Sequence, residues 1–389
     1  MASLIEEKAY LDLGGTVRSQ SVEITLHKLR AIFPKLGITR VANITGLDNI
    51  GVPVAICIRA NSKHLSVSQG KGLTWELAQA SAIMESIEAY HAENTLPPNA
   101  QGSYVDLKNS YPVVDPRFFN SGDFTIPEIE RWNFGWTEAI DINQKGNQVM
   151  IPHVLTSLDS TQCHPEYSFL SVSTNGLAAG NTQEEAICHG LCEVIERDSL
   201  YRWATLSDIK RKNTQLALDS IDSKINEHVI KKLYAADQLV KVWDITSLLG
   251  IPSFHCVIKD SNPLRNLGMF RGTGTHLLKE IALSRALTEA AQSRAAVISG
   301  TRDDIFSDQY QQKRTFSYSK EEYQGQKMYQ TCMQPSIELN FSANIAYVCQ
   351  RLTQEGFPHV FIINQTKKEL DIPVVHVFIP GMKFNGARI

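Results

Sequence analysis

Two spacings of apolar residues alternate along the chain. Short β-branched runs, Val52-Pro-Val-Ala-Ile-Cys-Ile58, Leu239-Val-Lys-Val-Trp-Asp-Ile245, Phe254-His-Cys-Val-Ile258, His359-Val-Phe-Ile-Ile363 and Val374-Val-His-Val-Phe-Ile379, predict strands. Longer stretches with apolar residues three and four apart predict helices near 73–93, 183–204, 222–235, 277–300 and 340–355. Elements of both kinds, interleaved, define a mixed class, α/β or α+β. Pro97–Gly102 and the polar, aromatic-dotted run from Asp303 to Gln330 break the pattern and read as surface excursions. No low-complexity linker forces a boundary, so residues 1–389 are expected to form one domain with a surface insertion at 303–330.

The polar positions inside the helical patterns are more informative than the apolar ones. Within 73–93, Ser81, Glu85 and Glu88 fall at i, i+4 and i+7 and make one stripe. Two carboxylates on one stripe repel each other, so something must compensate them. Within 183–204, Glu185, His189, Glu193 and Glu196 form a second stripe, with Arg197 one residue to its side. A lone Glu-x-x-Glu is commonly the solvated face of a helix. Here the intervening residues are Ala, Ile, Cys, Gly, Leu, Cys, Val and Ile, and carboxylates on so apolar a helix must be partnered or protonated. A third pattern carries Arg285, Glu289 and Gln292 at the same spacing, with Arg294 rotated to the far side. Taken alone, Arg285 and Glu289 would be an ordinary helix pair worth about 0.2–0.5 kcal/mol.

The first two stripes follow similar lead-ins. Ser66-Val-Ser-Gln-Gly-Lys-Gly72 precedes one and Ser171-Val-Ser-Thr-Asn-Gly-Leu-Ala-Ala-Gly180 the other, which is either a coincidence of short motifs or a duplicated half-site. Three carboxylate-bearing helices suit a hard cation held through oxygen. Magnesium fits best, because it takes carboxylate and phosphate oxygens, retains water, and would bring a nucleotide with it. The loops Gln69-Gly-Lys-Gly72 and Asn175-Gly176 through Gly180 offer backbone N–H groups to phosphate, but neither matches a P-loop.

Composition narrows the classes without naming one. With 389 residues, 43% hydrophobic and 20% charged, the chain can bury a large core. A net charge of −3 supplies no basic field for nonspecific nucleic-acid or membrane binding. The start, MASLIEEKAYLDLGG, lacks a basic region followed by an apolar run, and no stretch reaches the roughly 18–20 apolar residues that span a bilayer; a cytoplasmic protein is expected. The seven cysteines lack a CxxC pair and read as reduced, buried thiols, including Cys188 and Cys192, which share a helix face.

Ser81-x3-Glu85-x2-Glu88 after Gly-Lys-Gly, Asn175-Gly-Leu-Ala-Ala-Gly180 followed by Glu193-Val-Ile-Glu-Arg-Asp198, and Ala286-Leu-Thr-Glu-Ala-Ala-Gln292 together resemble the ATP-binding signature of YcaO-domain enzymes. The likeness runs from roughly Gly14 to Pro380. Gly37 through Asp48, Gly51-Val-Pro-Val54 and Gly70-Lys-Gly-Leu-Thr74 look like the branch found beside TfuA proteins, which is associated with thioamide formation. The end, Ile379-Pro-Gly-Met-Lys-Phe-Asn-Gly-Ala-Arg-Ile389, departs from the proline-rich tail of azoline-forming relatives.

The resemblance implies a mixed α/β fold with a non-P-loop site for ATP and Mg2+, and phosphorylation of a peptide-bond oxygen before a nucleophile adds to the carbon. It implies Glu85, Glu88, Glu193 and Glu196 as metal ligands, and Lys71, Ser81, Ser173, Asn175, Glu185, Arg197, Glu289 and Gln292 as nucleotide contacts. Arg197, Glu289 and Gln292 would stand nearest the chemistry. Arg18 and Arg59 are further candidates for phosphate, with a surface salt bridge as the alternative for each. The implied partners are a peptide or protein substrate, a TfuA-like or E1-like protein, and a second copy in a homodimer. Azoline formation on a precursor peptide, and a catalytically silent binding scaffold, are the alternatives.

Overall fold

The computed structural model describes residues 10–119, 126–162, 164–170, 172–262, 267–301, 303 and 324–384. The chain begins with β1 (Leu11–Asp12), β2 (Val17–Arg18), α1 (Val22–Ala31), α2 (Phe33–Leu36), β3 (Arg40–Asn43), β4 (Val54–Ile58), β5 (Val67–Lys71) and α3 (Trp75–Glu93). Next come β6 (Ala100–Gly102), α4 (Tyr104–Leu107), α5 (Ile126–Arg131), β7 (Phe134–Asp141), β8 (Asn147–Pro152), β9 (Leu177–Ala179) and α6 (Gln183–Ala204). The remainder is α7 (Asp208–Asn213), α8 (Lys224–Ala235), β10 (Gln238–Asp244), β11 (Ser253–Asp260), β12 (Met269–Thr275), α9 (Lys279–Ser299), α10 (Phe341–Gln354), β13 (Phe361–Asn364) and β14 (Val374–Phe378).

The described residues form two compact units. The first draws on Met1–Ala60, Leu65–Ser86 and Ile195–Asn344, the second on Asn61–His64, Ile87–Val194 and Ile345–Ile389. The first unit contains two three-stranded antiparallel sheets, β3-β4-β5 and β10-β11-β12. The apolar face of the latter, Val240, Val242, Phe254, Cys256, Ile258 and Phe270, joins Val229 and Leu233 of α8 and Ala282, Ala286 and Leu287 of α9 in one core. Burying side chains of this size stabilises by about 1.5–3 kcal/mol each. The second unit is built on the sheet β6-β7-β13-β14-β9, with β8 also paired to β7, over a core of Phe134, Trp136, Ile151, Leu155, Phe361 and Ile363.

One local arrangement occurs three times. β5, β9 and β12 end at Lys71, Ala179 and Thr275, and α3, α6 and α9 begin four residues later, at Trp75, Gln183 and Lys279. Seven residues past each strand end stand Ala78, Ala186 and Ala282; eleven past stand Ala82, Gly190 and Ala286. All six are buried. Ten, fourteen and seventeen past stand Ser81, Glu85 and Glu88; His189, Glu193 and Glu196; and Arg285, Glu289 and Gln292. The echo between the first two stripes therefore has a third member, and all three keep one register.

Small residues permit that register. A Cβ on Gly70 would lie 2.1 Å from the Ala82 nitrogen and 2.2 Å from the Ala78 oxygen, and one on Gly274 would lie 2.1 Å from the Ala282 oxygen. Each strand thus touches bare helix backbone.

The helical and strand spacings mark α3, α6, α8, α9 and α10, and β4, β10, β11, β13 and β14, to within a few residues. Both supposed surface excursions need correction at their ends. Ala100–Gly102 is an edge strand paired to β7, and the Gly102 carbonyl accepts from Trp136 Nε1 at 2.8 Å. Of the segment 303–330, residues 304–323 lie outside the described residues, but Lys327 is anchored: its N–H donates to the Gln215 carbonyl at 3.0 Å and its Nζ to Asp244 at 2.6 Å. Arg294, on the far side of its helix, is 3% exposed and bonds Asp260 through Nη1 at 2.7 Å and Asp48 through Nε at 3.1 Å, a buried bridge within the first unit.

Gly70→Ala is expected to lower stability by about 1–3 kcal/mol, because its methyl group meets helix backbone and not a movable side chain. Urea unfolding measures it; a variant as stable as the parent would show that α3 does not press on β5.

Candidate active site

In the first unit, β5 and β12 deliver backbone N–H groups to the carboxylates of the helices that follow them. Glu85 accepts from the Gln69 N–H at 3.3 Å, and Glu289 from the Thr273 N–H at 3.5 Å. Glu196, only 4% exposed, accepts from the Thr273 hydroxyl at 2.8 Å. These bonds replace lost hydration for carboxylates on apolar helices.

Cations gather on the same elements. Lys71 Nζ lies 3.0 Å from Glu289 Oε2. Burial pushes the Glu289 carboxyl up, but Lys71, Arg197 and Arg285 outweigh it and hold the group below the usual carboxylate range. Three cations thus stand close to one carboxylate, and such groups suit phosphate. His276, in the turn between β12 and α9, is pushed down to about 3 by burial, then by Arg285 and Arg18. Its Nδ1 accepts from the Leu278 N–H at 3.0 Å, so this ring is a neutral brace for the turn and not another cation. Arg59 is 4% exposed, which removes the surface salt bridge as its explanation. Gln292 Oε1 and Gln69 Nε2 are buried without a hydrogen-bond partner among the described residues.

In the second unit, Glu88 accepts from the Ala179 N–H on β9 at 2.6 Å. Glu185 accepts from Asn181 Nδ2 at 3.1 and 3.2 Å, tying the first turn of α6 to the preceding loop. Glu193 is half-buried. In the loop before β9, the Asn175 N–H donates to Ser173 Oγ at 3.2 Å, and Asn175 Oδ1 is buried without a partner. Ser81, in the first unit, is half-buried one turn before Glu85.

The arrangement brings Lys71, Arg197, Arg285 and Glu289 together, and sets Glu85, Glu88 and Glu196 each on a protein donor. Among the described residues no three His, Cys, Asp or Glu side chains converge as a ready metal cage. Mg2+ takes few protein ligands and completes its shell with phosphate oxygens and water. The donor set of the first unit fits Mg2+ and ATP: the Glu85 and Glu196 carboxylates for the metal, Lys71, Arg197 and Arg285 for phosphate, and the orphaned amide heads of Gln69 and Gln292. The sequence reading missed Gln69, Thr273, His276 and Asn181. Gln69 stands in the Gln-Gly-Lys-Gly stretch, expected as a loop but folded as the end of β5; Thr273 and His276 depend on a strand with little hydrophobic signal.

The six described cysteines are buried, and among the described residues none is in a disulfide. Burial pushes Cys57 up to about 11 and Cys332 to about 12, so both stay protonated. Cys163 lies outside the described residues.

The fold is that of a solved heterocyclase and of a solved YcaO protein. A heterocyclase solved with its substrate and cofactor superposes with a TM-score of 0.79 at 22% identity, over 98% of this chain and 54% of that one, so this chain spans about half its length. YcaO from Methanopyrus kandleri, bound with AMPPCP and Mg2+, superposes with a TM-score of 0.73 at 21% identity, over 96% of this chain and 94% of that one.

The chain belongs to the YcaO family: residues 69–383 match the model of the ATP- and Mg2+-binding YcaO cyclodehydratases. An uncharacterized protein of Rhizobium leguminosarum bv. trifolii, from the tfuA 3' region, is 30% identical over 398 residues, covering 95% of this chain and 92% of that protein. Among the described residues no helix is long and apolar enough to cross a membrane.

His255 and His376 are buried and each pushed down to about 4, by burial first. Both rings are neutral in the fold and titrate near 6.5 when unfolded, so the unfolded chain gains protons first as pH falls. Stability is expected to drop between pH about 6.5 and about 4, by on the order of 3 kcal/mol per ring. Urea midpoints across that range measure it, and His255→Phe should flatten the slope; an unchanged slope would mean that His255 is charged in the fold.

Proposed function

We propose that this protein is an ATP- and Mg2+-dependent enzyme that activates a backbone amide of a peptide or protein, for thioamide formation. The single observation carrying the reading is the match to the YcaO model over residues 69–383, a span that includes all three carboxylate rows. The relative from the tfuA 3' region supports the thioamide branch and a TfuA-like partner. When bound, ATP supplies the phosphoryl group that turns the amide oxygen into a leaving group.

The protein's own part is positioning and charge. Lys71, Arg197 and Arg285 neutralise charge on phosphate oxygens; the planar Arg forks grip two oxygens at once. Glu85, Glu88, Glu193 and Glu196 orient the metal, and Gln292 offers its orphaned oxygen. Arg18 and Arg59 serve as outer phosphate contacts. Glu185, already engaged by Asn181, orders the loop at the start of α6. Azoline formation is the second reading, favoured by the family's description as cyclodehydratases.

Intact-mass analysis of a peptide co-expressed with the enzyme separates the readings. Thioamide formation adds the mass difference between sulfur and oxygen; azoline formation removes one water. An unmodified peptide in the presence of ATP, sulfur source and a TfuA-like partner would count against both.

Glu88→Gln tests the metal assignment. The amide keeps an oxygen to accept from the Ala179 N–H and removes only the charge, so folding should be retained. Calorimetry with Mg2+ and AMPPCP is expected to show affinity at least about tenfold weaker. Parent-like affinity would take Glu88 out of the site.

A further inference from the structure

We propose that His376 is a positioning residue for the nucleotide loop, fixing the turn Ser173–Gly176 through its bond to the main chain of Asn175. The proposal rests on the reading of that loop as a nucleotide contact. His376 lies on β14, whose register with β9 runs Val374↔Ala179, Val375↔Ala178, His376↔Leu177. Past Leu177 the ladder stops and the chain turns away. β14 holds the turn from two successive residues: the Val377 N–H donates to the Gly176 carbonyl at 2.9 Å, and His376 Nε2 bonds the Asn175 carbonyl at 3.1 Å. A carbonyl only accepts, so Nε2 carries the proton and Nδ1 is bare.

The turn cannot relax in the other direction. Gly176 has φ of +85°, and a Cβ there would lie 2.2 Å from the Val377 oxygen. Against this fixed backbone, the Asn175 N–H is used by Ser173 Oγ, while Oδ1 remains buried and unpartnered. The main chain of Asn175 is held and its amide head is kept for something else.

Packing alone gives no reason for an imidazole here. Val374, Val375 and Val377 fill the neighbouring positions of β14. His376 is 1% exposed, its ring centroid lies 4.3 Å from that of Phe378, and its Nδ1 has no partner among the described residues. Burying a bare ring nitrogen is unfavourable, and the one hydrogen bond obtained in return ends on the loop.

The test compares His376→Phe, which fills the space without a donor, with His376→Gln, which restores a donor at similar reach, and Asn175→Ala. Calorimetry with Mg2+ and AMPPCP reads affinity; amide hydrogen exchange of residues 175–177 reads the turn in the ligand-free protein. His376→Phe is expected to bind about tenfold more weakly, the worth of one hydrogen bond, and to exchange faster at the turn. His376→Gln should return to within about threefold, and adding Asn175→Ala to His376→Phe should cost little more. If His376→Phe does not fold, His376→Asn, too short to reach the carbonyl, replaces it with the same expectation. Parent-like affinity in His376→Phe with weakened binding in Asn175→Ala would overturn the positioning role and leave the loop reading standing. Parent-like affinity in both would overturn the loop reading and the role with it. A Gln variant as weak as the Phe variant would assign the ring to packing.

Discussion

A strand can lend its amides to a helix's carboxylates only when neither element presents bulk where they cross. Gly70 against Ala78 and Ala82, and Gly274 against Ala282 and Ala286, meet that condition, with helix backbone about 2 Å from where a side chain would begin. Two consequences follow from that contact. The Gln69 and Thr273 N–H groups come within reach of Glu85 and Glu289, and the acidic rows are fixed in angle and height along their helices. Side chains alone, with several rotatable bonds, would not hold charged groups so closely.

The acidic rows resolve their own repulsion in two ways. Where a carboxylate can reach a strand amide or hydroxyl, as Glu85, Glu88 and Glu196 do, a hydrogen bond offsets lost hydration. Where it sits among Lys71, Arg197 and Arg285, as Glu289 does, cations oppose the penalty of burial directly. Glu85, Glu88, Glu196 and Glu289 are therefore compensated by the protein itself, without a bound ion.

Much of this was legible in the sequence, and what was hidden had a reason. The carboxylate spacing follows from helix geometry, so the rows at 81–88, 193–196 and 285–292 could be read directly, as could the helices that carry them. β5 and β12 could not. Val67-Ser-Gln-Gly-Lys71 and Met269-Phe-Arg-Gly-Thr-Gly-Thr275 are polar and glycine-bearing because they approach helices closely, and the same feature erases the alternation that marks a strand. Arg59 and His376 are polar residues that are nonetheless buried, and nothing beside them in sequence announces it. The two compact units were hidden for a related reason: each is assembled from three separate segments.

The common register separates what builds the scaffold from what sets its charge. Packing resides at the buried small residues seven and eleven places past each strand, whereas charge resides at ten, fourteen and seventeen. The rows differ along that division: Ser81, Glu85 and Glu88 carry two negative charges, while Arg285, Glu289 and Gln292 sum to zero. One backbone module thus serves as an acidic bench in one place and a neutral, cation-bearing one in another. Point substitutions in a row would therefore change its charge while leaving the small-residue contacts between strand and helix intact.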